Sequence, residues 1–277
     1  MGSSGVVVGY DGSEFAVRAL EWALDEAELR GLPLTVCHAW QPPRGADVGT
    51  VAAMRRAAER VVRQGAEWAR ARGLPVDIDL YQGAAADRLV ELSATADLVV
   101  VGSCRPDASR GVTIGAVRRV VAGRARCPVI MVRDTGPARR SGPIAVGVNG
   151  NGDIDVVLAF ACQEAMARRL PLVVVHAWQH QACHVRAVMP LEPAAVRAHA
   201  EERMTRVLVP WRLRYPNLLI EVSAAEGPAR QELLEAALDA TLLVVGAPES
   251  RCGSMTVFML DHAPCPVAIV RTQEVAL

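Results

Sequence analysis

The chain has 277 residues, of which 51% are hydrophobic and only 4% aromatic, a length that suits two domains of about 140 residues each with cores filled by Val, Ala and Leu. Its 30 basic and 30 acidic residues cancel, which argues against nucleic acid as a partner, since such proteins carry a basic excess. No apolar run approaches the roughly 20 residues that span a bilayer, and the first residues lack the basic and apolar regions of a signal peptide, so no membrane partner and a cytoplasmic location are expected.

In chain order, short runs apolar on both faces alternate with longer amphipathic segments, the pattern of buried parallel strands joined by helices. The first strand is read at Val6–Tyr10, followed by a helix from Glu14 to Arg30 with Ala16, Leu20, Ala23 and Ala27 at helical spacing. Strands at Leu34–Ala39, Val76–Leu80, Leu98–Gly102 and Pro128–Val132 follow, separated by helices at Val51–Arg72, Asp87–Thr95 and about Gly115–Gly123. This βαβαβαβαβ order predicts a parallel sheet with right-handed crossovers and helices on both faces. Ligands then bind beyond the carboxyl ends of the strands, which directs attention to Asp11, to His38–Trp40 and to the loop after Gly102.

The second half repeats the first. Leu34-Thr-Val-Cys-His38-Ala39-Trp40 returns as Leu172-Val-Val-Val-His176-Ala177-Trp178, 138 residues later, and Cys127-Pro128-Val129 returns at the same spacing as Cys265-Pro266-Val267. Gly83 and Gly102 have their counterparts at Gly227 and Gly246, 144 residues on, so the second half has gained six residues before that point. The spacing is again 138 at Gly115 and Gly253, so six residues are lost after the fourth strand. Such a period means domain duplication rather than a solenoid. The domains are drawn at residues 1–135 and 142–277, joined by a Pro/Gly/Arg-rich linker over 134–143.

The loop from Gly102 to Gly115 feeds a helix, and a glycine-bearing loop before a helix N-terminus can cradle phosphate with its amides and the helix dipole. An ordinary turn is the competing reading. This loop joins Gly9-Tyr10-Asp11-Gly12-Ser13, the His38-Ala39-Trp40 strand end, Gly83 before a helix and the Cys127-Pro128-Val129 strand. Together these resemble the universal stress protein family over nearly all of both halves. The resemblance implies two Rossmann-like domains of the adenine nucleotide alpha hydrolase type, each an α/β fold with a five-stranded parallel sheet of order 3-2-1-4-5. It also implies homodimers paired through the last strand of each domain, and ATP, with or without magnesium, as cofactor. The family's phosphate pattern is glycine, two residues, glycine, nine residues, then glycine and a hydroxyl residue. Its first glycine falls on Gly102, its second on Arg105, its third on Gly115 and its hydroxyl residue on Ala116, followed by Val117. Asp11 matches the acidic residue near the nucleoside, with a turn or cap role as the plainer alternative, and Ala39 matches the backbone contact to the base.

The departures have physical consequences. Arg105 tolerates neither positive φ nor close phosphate approach as glycine does, and Pro106 removes an amide donor. Arg105 or Arg110 can compensate with a guanidinium. In the second half, Asn149 replaces the acidic residue, and the shortened loop carries Pro248 and Glu249, although Gly253-Ser254 keeps the final pair. His176, His180, Cys183 and His184 are close in sequence but fit no standard zinc spacing, and seven cysteines with no CxxC pair read as reduced thiols. Arg55, Arg56, Arg60 and Arg63 read as a solvated helix face before they read as a docking site for an acidic partner. No GxSxG, HExxH or Walker lysine pattern is present, so no catalytic residue is assigned. The expected function is an adenine-nucleotide-responsive regulator with a protein partner the sequence does not name. A non-binding interaction module and a slow ATPase are the alternatives.

Overall fold

The computed structural model describes residues 5–103, 114–133, 141–148, 154–178, 193–248 and 253–272. It divides into two compact α/β units. The first contains β1 (Val6–Gly9), α1 (Glu14–Arg30), β2 (Leu34–Trp40), α2 (Val48–Arg70), β3 (Val76–Gln82), α3 (Ala85–Leu92), β4 (Leu98–Ser103), α4 (Ile114–Arg124) and β5 (Val129–Arg133). The second contains β6 (Ile144–Gly147), α5 (Asp155–Arg168), β7 (Leu172–Trp178), α6 (Pro193–Arg214), β8 (Ile220–Glu226), α7 (Ala229–Asp239), β9 (Leu242–Pro248), α8 (Ser254–His262) and β10 (Val267–Thr272).

In the first unit the strands lie in the order β3-β2-β1-β4-β5, and in the second β8-β7-β6-β9-β10. The pairings that the ladders record within each unit are parallel, with Val8 opposite Val36 on one side and Val100 on the other. The central strands are the apolar runs. Val6, Val8, Leu98, Val99 and Val100 are fully buried, as are Ile144, Val146, Leu242 and Val244. Strands covered on both faces have no solvent side and so show no alternation. In the first unit, α1 and α2 pack against each other and against β1, β4, β2 and β3, while α3 and α4 form a second pair. Helices of this kind are held by burial of one stripe: α2 buries Ala58, Val62, Ala66 and Ala69 and exposes Arg55, Arg56, Arg60 and Arg63. That basic cluster is therefore the solvated face, with Arg55 paired to Glu59 one turn on.

Most boundaries shift by one to three residues. α2 begins at Val48 rather than Val51 because the Asp47 carboxylate accepts from the Thr50 amide at 2.9 Å and caps the helix. α3 begins and ends earlier than expected, at Ala85 and Leu92. β3 is the larger departure. It was expected to be buried on both faces, yet Asp77 and Ile78, which point to opposite faces, are both exposed, because β3 is the outer strand and pairs with β2 alone.

Both copies bury the same ion pair. Glu26, 1% exposed, accepts from Trp22 Nε1 at 2.9 Å and from Arg30 Nε at 3.1 Å. Its counterpart Glu164, 2% exposed, accepts from Arg168 Nε at 3.2 Å. A buried carboxylate persists only when paired and hydrogen-bonded in this way. The helix ends that follow differ. α1 stops at Gly31 in the left-handed region, φ 64°, whereas α5 stops at Arg169 with φ 57°. A side chain in that conformation costs roughly 1–2 kcal/mol, and glycine is the residue that avoids it. Arg169→Gly is therefore expected to stabilise the second unit by about 1 kcal/mol, read as a higher urea midpoint at unchanged slope.

Candidate functional site

β1 is the topological centre of the first unit, with β2 on one side and β4 on the other. Crossovers leave it in opposite directions, and the gap so formed opens beyond the carboxyl ends of the strands. A cavity of about 250 Å³ lies there. Four of the sequence-predicted residues line it together: Asp11 after β1, Ala39 on β2, Gly102 on β4 and Val117 on α4. Gly115 and Ala116 lie in the first turn of α4, where backbone amides have no intrahelical partner. Arg105 lies outside the described residues, as do Arg110 and Pro106.

The Asp11 wall is built by a turn. Asp11 Oδ1 accepts from the Ser13 amide at 2.9 Å, Gly12 between them takes φ +81°, and Ser13 then caps α1 by accepting from the Ala16 amide. Only glycine passes such a φ without strain. The plainer role read for Asp11, a turn residue, is thus real, and the same turn leaves Asp11 exposed at the cavity edge. Tyr10 beside it is 3% exposed. Its ring fits because α2 carries glycine at position 65, where a Cβ would meet Tyr10 Cδ1 at 2.8 Å.

His38 ties the two strand ends together. Its Nδ1 lies 2.8 Å from the Tyr10 carbonyl oxygen, which can only accept, so Nδ1 carries the proton. The second unit repeats the bond from His176 to the Val148 carbonyl at 3.1 Å. The histidine of the repeated His-Ala-Trp segment is therefore a latch between adjacent strands in both copies.

Gly102 has a reason that differs from the one the motif suggested. A Cβ there would meet the Phe15 carbonyl carbon at 2.6 Å and the Ala16 nitrogen at 3.1 Å, and would also strike the Phe15 oxygen. The glycine lets β4 and the first turn of α1 touch backbone to backbone. Its counterpart Gly246 faces only side-chain methyls, of Val157 at 3.1 Å and Thr272 at 3.3 Å.

Cys37 forms part of the wall below His38 and donates to Asp79 Oδ2 at 3.3 Å. Asp79 is held by Arg88 of α3 through two bonds of 2.9 and 2.7 Å, and the Arg88 guanidinium stacks over Tyr81. Arg88 keeps the Asp79 carboxyl below the usual carboxylate range, while burial, reinforced by that carboxylate, pushes the Cys37 thiol far up. A thiol so placed is not a nucleophile at neutral pH.

Sequence reasoning missed Arg118. It is 5% exposed, lines the cavity, and donates from Nη1 to Ser103 Oγ at 3.3 Å. Its signal was present: Arg118, Val121, Ala122 and Ala125 follow helical spacing, and the other three are buried. A cation on the apolar stripe of a helix marks something other than a solvated face.

The second unit differs at the corresponding place. His176 Nε2 lies 2.8 Å from Arg203 Nη2 of α6, so that arginine covers the histidine whose counterpart, His38, faces the cavity of the first unit. Asn149, Glu249, His180, Cys183 and His184 lie outside the described residues. Among the described residues no group of three His, Cys, Asp or Glu side chains is arranged to hold a metal ion.

Two outcomes follow from this geometry. Gly102→Ala forces α1 away from β4 and is expected to destabilise the first unit by about 1–3 kcal/mol, measured by urea unfolding without ligand. Asp79, whose folded pKa is depressed, contributes stability above its unfolded value of about 3.9 and loses it as pH falls through the folded value. Arg88→Ala should cost about 1–2 kcal/mol at pH 7, and the gap from the unaltered chain should close as pH drops below 3.9. A gap that is equal at pH 7 and pH 3 would exclude the ion pair as its source.

Comparison with known proteins agrees with the architecture. The model of the universal stress protein family matches residues 4–133 and again 141–271. Universal stress protein Rv2623 of Mycobacterium tuberculosis is 32% identical over 268 residues, covering 88% of this chain and 86% of its own. Universal stress protein Mb2028c of Mycobacterium bovis is 31% identical over 296 residues, covering 96% and 97%. The crystal structure of a universal stress protein from Archaeoglobus fulgidus shares the fold with a TM-score of 0.76 over 98% of this chain and 99% of that one, at 16% identity. With the family model matched twice along one sequence and both copies built as parallel α/β units, this chain belongs to the universal stress protein family as a tandem, two-domain member.

Proposed function

We propose that the first domain binds an adenine nucleotide, with ATP as the expected ligand, and that the chain acts as a nucleotide-responsive regulator in a stress response. The second domain is largely structural in this reading. The observation that carries it is the cavity at the switch point of the first sheet, which gathers Asp11 from the loop after β1, Ala39 from β2, Gly102 from β4 and Val117 from α4. The lining is mostly apolar, with few polar groups at its edges, the composition of small-molecule sites. Its size, about 250 Å³, lies just under the roughly 300–1,000 Å³ usual for such pockets. That suits the nucleoside end of the ligand, with the phosphates directed toward the first turn of α4. In this reading the small side chain of Ala39 lets a base lie on the strand backbone, and Asp11, at the cavity edge, accepts from ribose hydroxyls. The same reading has the protein act in the cytoplasm as a homodimer. The four described cysteines, Cys37, Cys127, Cys162 and Cys265, are buried and form no disulfide, in keeping with a reducing compartment, and no helix among the described residues is long and apolar enough to cross a membrane.

A second reading, an interaction module that kept the fold without the ligand, is favoured by Arg105-Pro106 and Ala116, which stand where the family pattern has a glycine and a hydroxyl. One experiment separates the two. Purified protein is denatured and the released adenine nucleotide identified by mass, and ATP binding is measured by calorimetry with and without magnesium. Binding is expected in the unaltered chain. Asp11→Asn keeps the turn acceptor but removes the charge, and should weaken binding about tenfold, or about 1.4 kcal/mol. Absence of both carried and titrated nucleotide would leave the module reading in place.

A further inference from the structure

We propose that Arg118 is the anion-binding group of the first domain's cavity, and that it makes the cavity select a phosphorylated nucleoside over the free nucleoside. This rests on the nucleotide reading and adds to it a residue that the family pattern does not contain.

Three observations meet at this side chain. First, Arg118 is on the cavity wall and nearly fully buried, at 5% exposure. A full charge in such surroundings is screened far less than one in water, and a guanidinium offers a planar fork of donors that matches phosphate. Second, its place is anchored. Nη1 donates to Ser103 Oγ, itself buried at the end of β4, one residue beyond Gly102. The cation is therefore fixed where the first turn of α4 meets the strand end, and the helix dipole there favours an anion as well. Third, the cavity has electrical direction. Asp11, exposed at the end of β1, supplies the acidic edge, and Arg118, on α4, supplies the basic one. A ligand with hydroxyls at one end and a phosphate at the other is matched by that polarity, and a neutral nucleoside satisfies only half of it.

The duplication makes the assignment specific to one domain. The residue 138 positions on from Arg118 is Thr256, buried at 1% exposure in α8 and uncharged. The second domain keeps Gly253-Ser254 at its helix start but has no cation at this position. The first domain shows the reverse, with Ala116 in place of the hydroxyl and a buried arginine two residues later.

The test is calorimetric titration of adenosine, AMP, ADP and ATP against the full chain and against Arg118→Met, Arg118→Lys and the exposed control Arg119→Gln. The unaltered chain should bind AMP at least tenfold more tightly than adenosine, with AMP affinity falling as salt rises. Arg118→Met, which keeps the length of the side chain, should bring AMP to within about twofold of adenosine while leaving adenosine binding itself within about twofold of its original value. Arg118→Lys should restore part of the preference, and Arg119→Gln should keep all of it. A methionine variant that retains the full preference for AMP overturns the proposal and leaves the nucleotide reading standing. So does an unaltered chain that binds adenosine as tightly as AMP, a result that needs no variant to fold. A chain that binds neither nucleoside nor nucleotide removes both readings together.

Discussion

The first turn of α1 rests on the backbone of β4, and it can do so only because position 102 has no side chain. That contact determines much of what surrounds it. It places the start of α1 beside the end of β1, so the connection between them must turn within Asp11-Gly12-Ser13. The turn brings Asp11 to the cavity edge, and the close approach leaves the carboxyl ends of β1 and β4 as floor for whatever binds above them. Gly9 serves the opposite face in a similar way, since a Cβ there would meet Leu89 of α3 at 3.3 Å. Small residues at strand ends let helices close over a sheet from both sides without filling the gap between them.

Duplication shows which features serve the scaffold and which serve the site. The buried Glu26–Arg30 pair returns as Glu164–Arg168, and the His38 latch returns as His176. The first braces one turn of a helix and the second ties two neighbouring strand ends, and both copies keep them. Among the described residues, the arginines near these two strand ends do not repeat. Arg118 has Thr256 as its counterpart, and His176 is covered by Arg203, whereas His38 faces a cavity. Two domains with one architecture therefore offer different chemistry at the same edge of the sheet, as expected when sites are set by a few side chains on a common frame.

Charge around the first cavity is organised rather than abundant. The chain as a whole is neutral, so its field comes from placement. Asp11 and Arg118 stand on different walls, and burial together with the Asp79 carboxylate, itself held by Arg88, raises the pKa of the Cys37 thiol in front of it. A pocket-lining cysteine would ordinarily invite a redox role. Here desolvation and the neighbouring carboxylate both disfavour the thiolate, so its part is to hydrogen-bond and to fill space.

The sequence alone determined the tandem α/β architecture and its repeat, because buried parallel strands leave continuous apolar runs and duplication leaves matching landmarks such as His38 and His176. It also pointed to Asp11, to His38–Trp40 and to the loop after Gly102, since topology sends the ends of β1, β2 and β4 to one place, while Val117 came from the family resemblance. It misjudged β3, whose Asp77 and Ile78 are exposed, because burial on an outer strand depends on which neighbours cover it. Tertiary structure decided the rest. That Gly102 answers to the backbone of Phe15, that Gly65 makes room for the Tyr10 ring, and that Arg118 points its charge inward are relations between residues far apart in the chain. Spacing along a chain encodes which face a residue occupies, but not what stands opposite that face, and the chemistry of this cavity comes from what stands opposite.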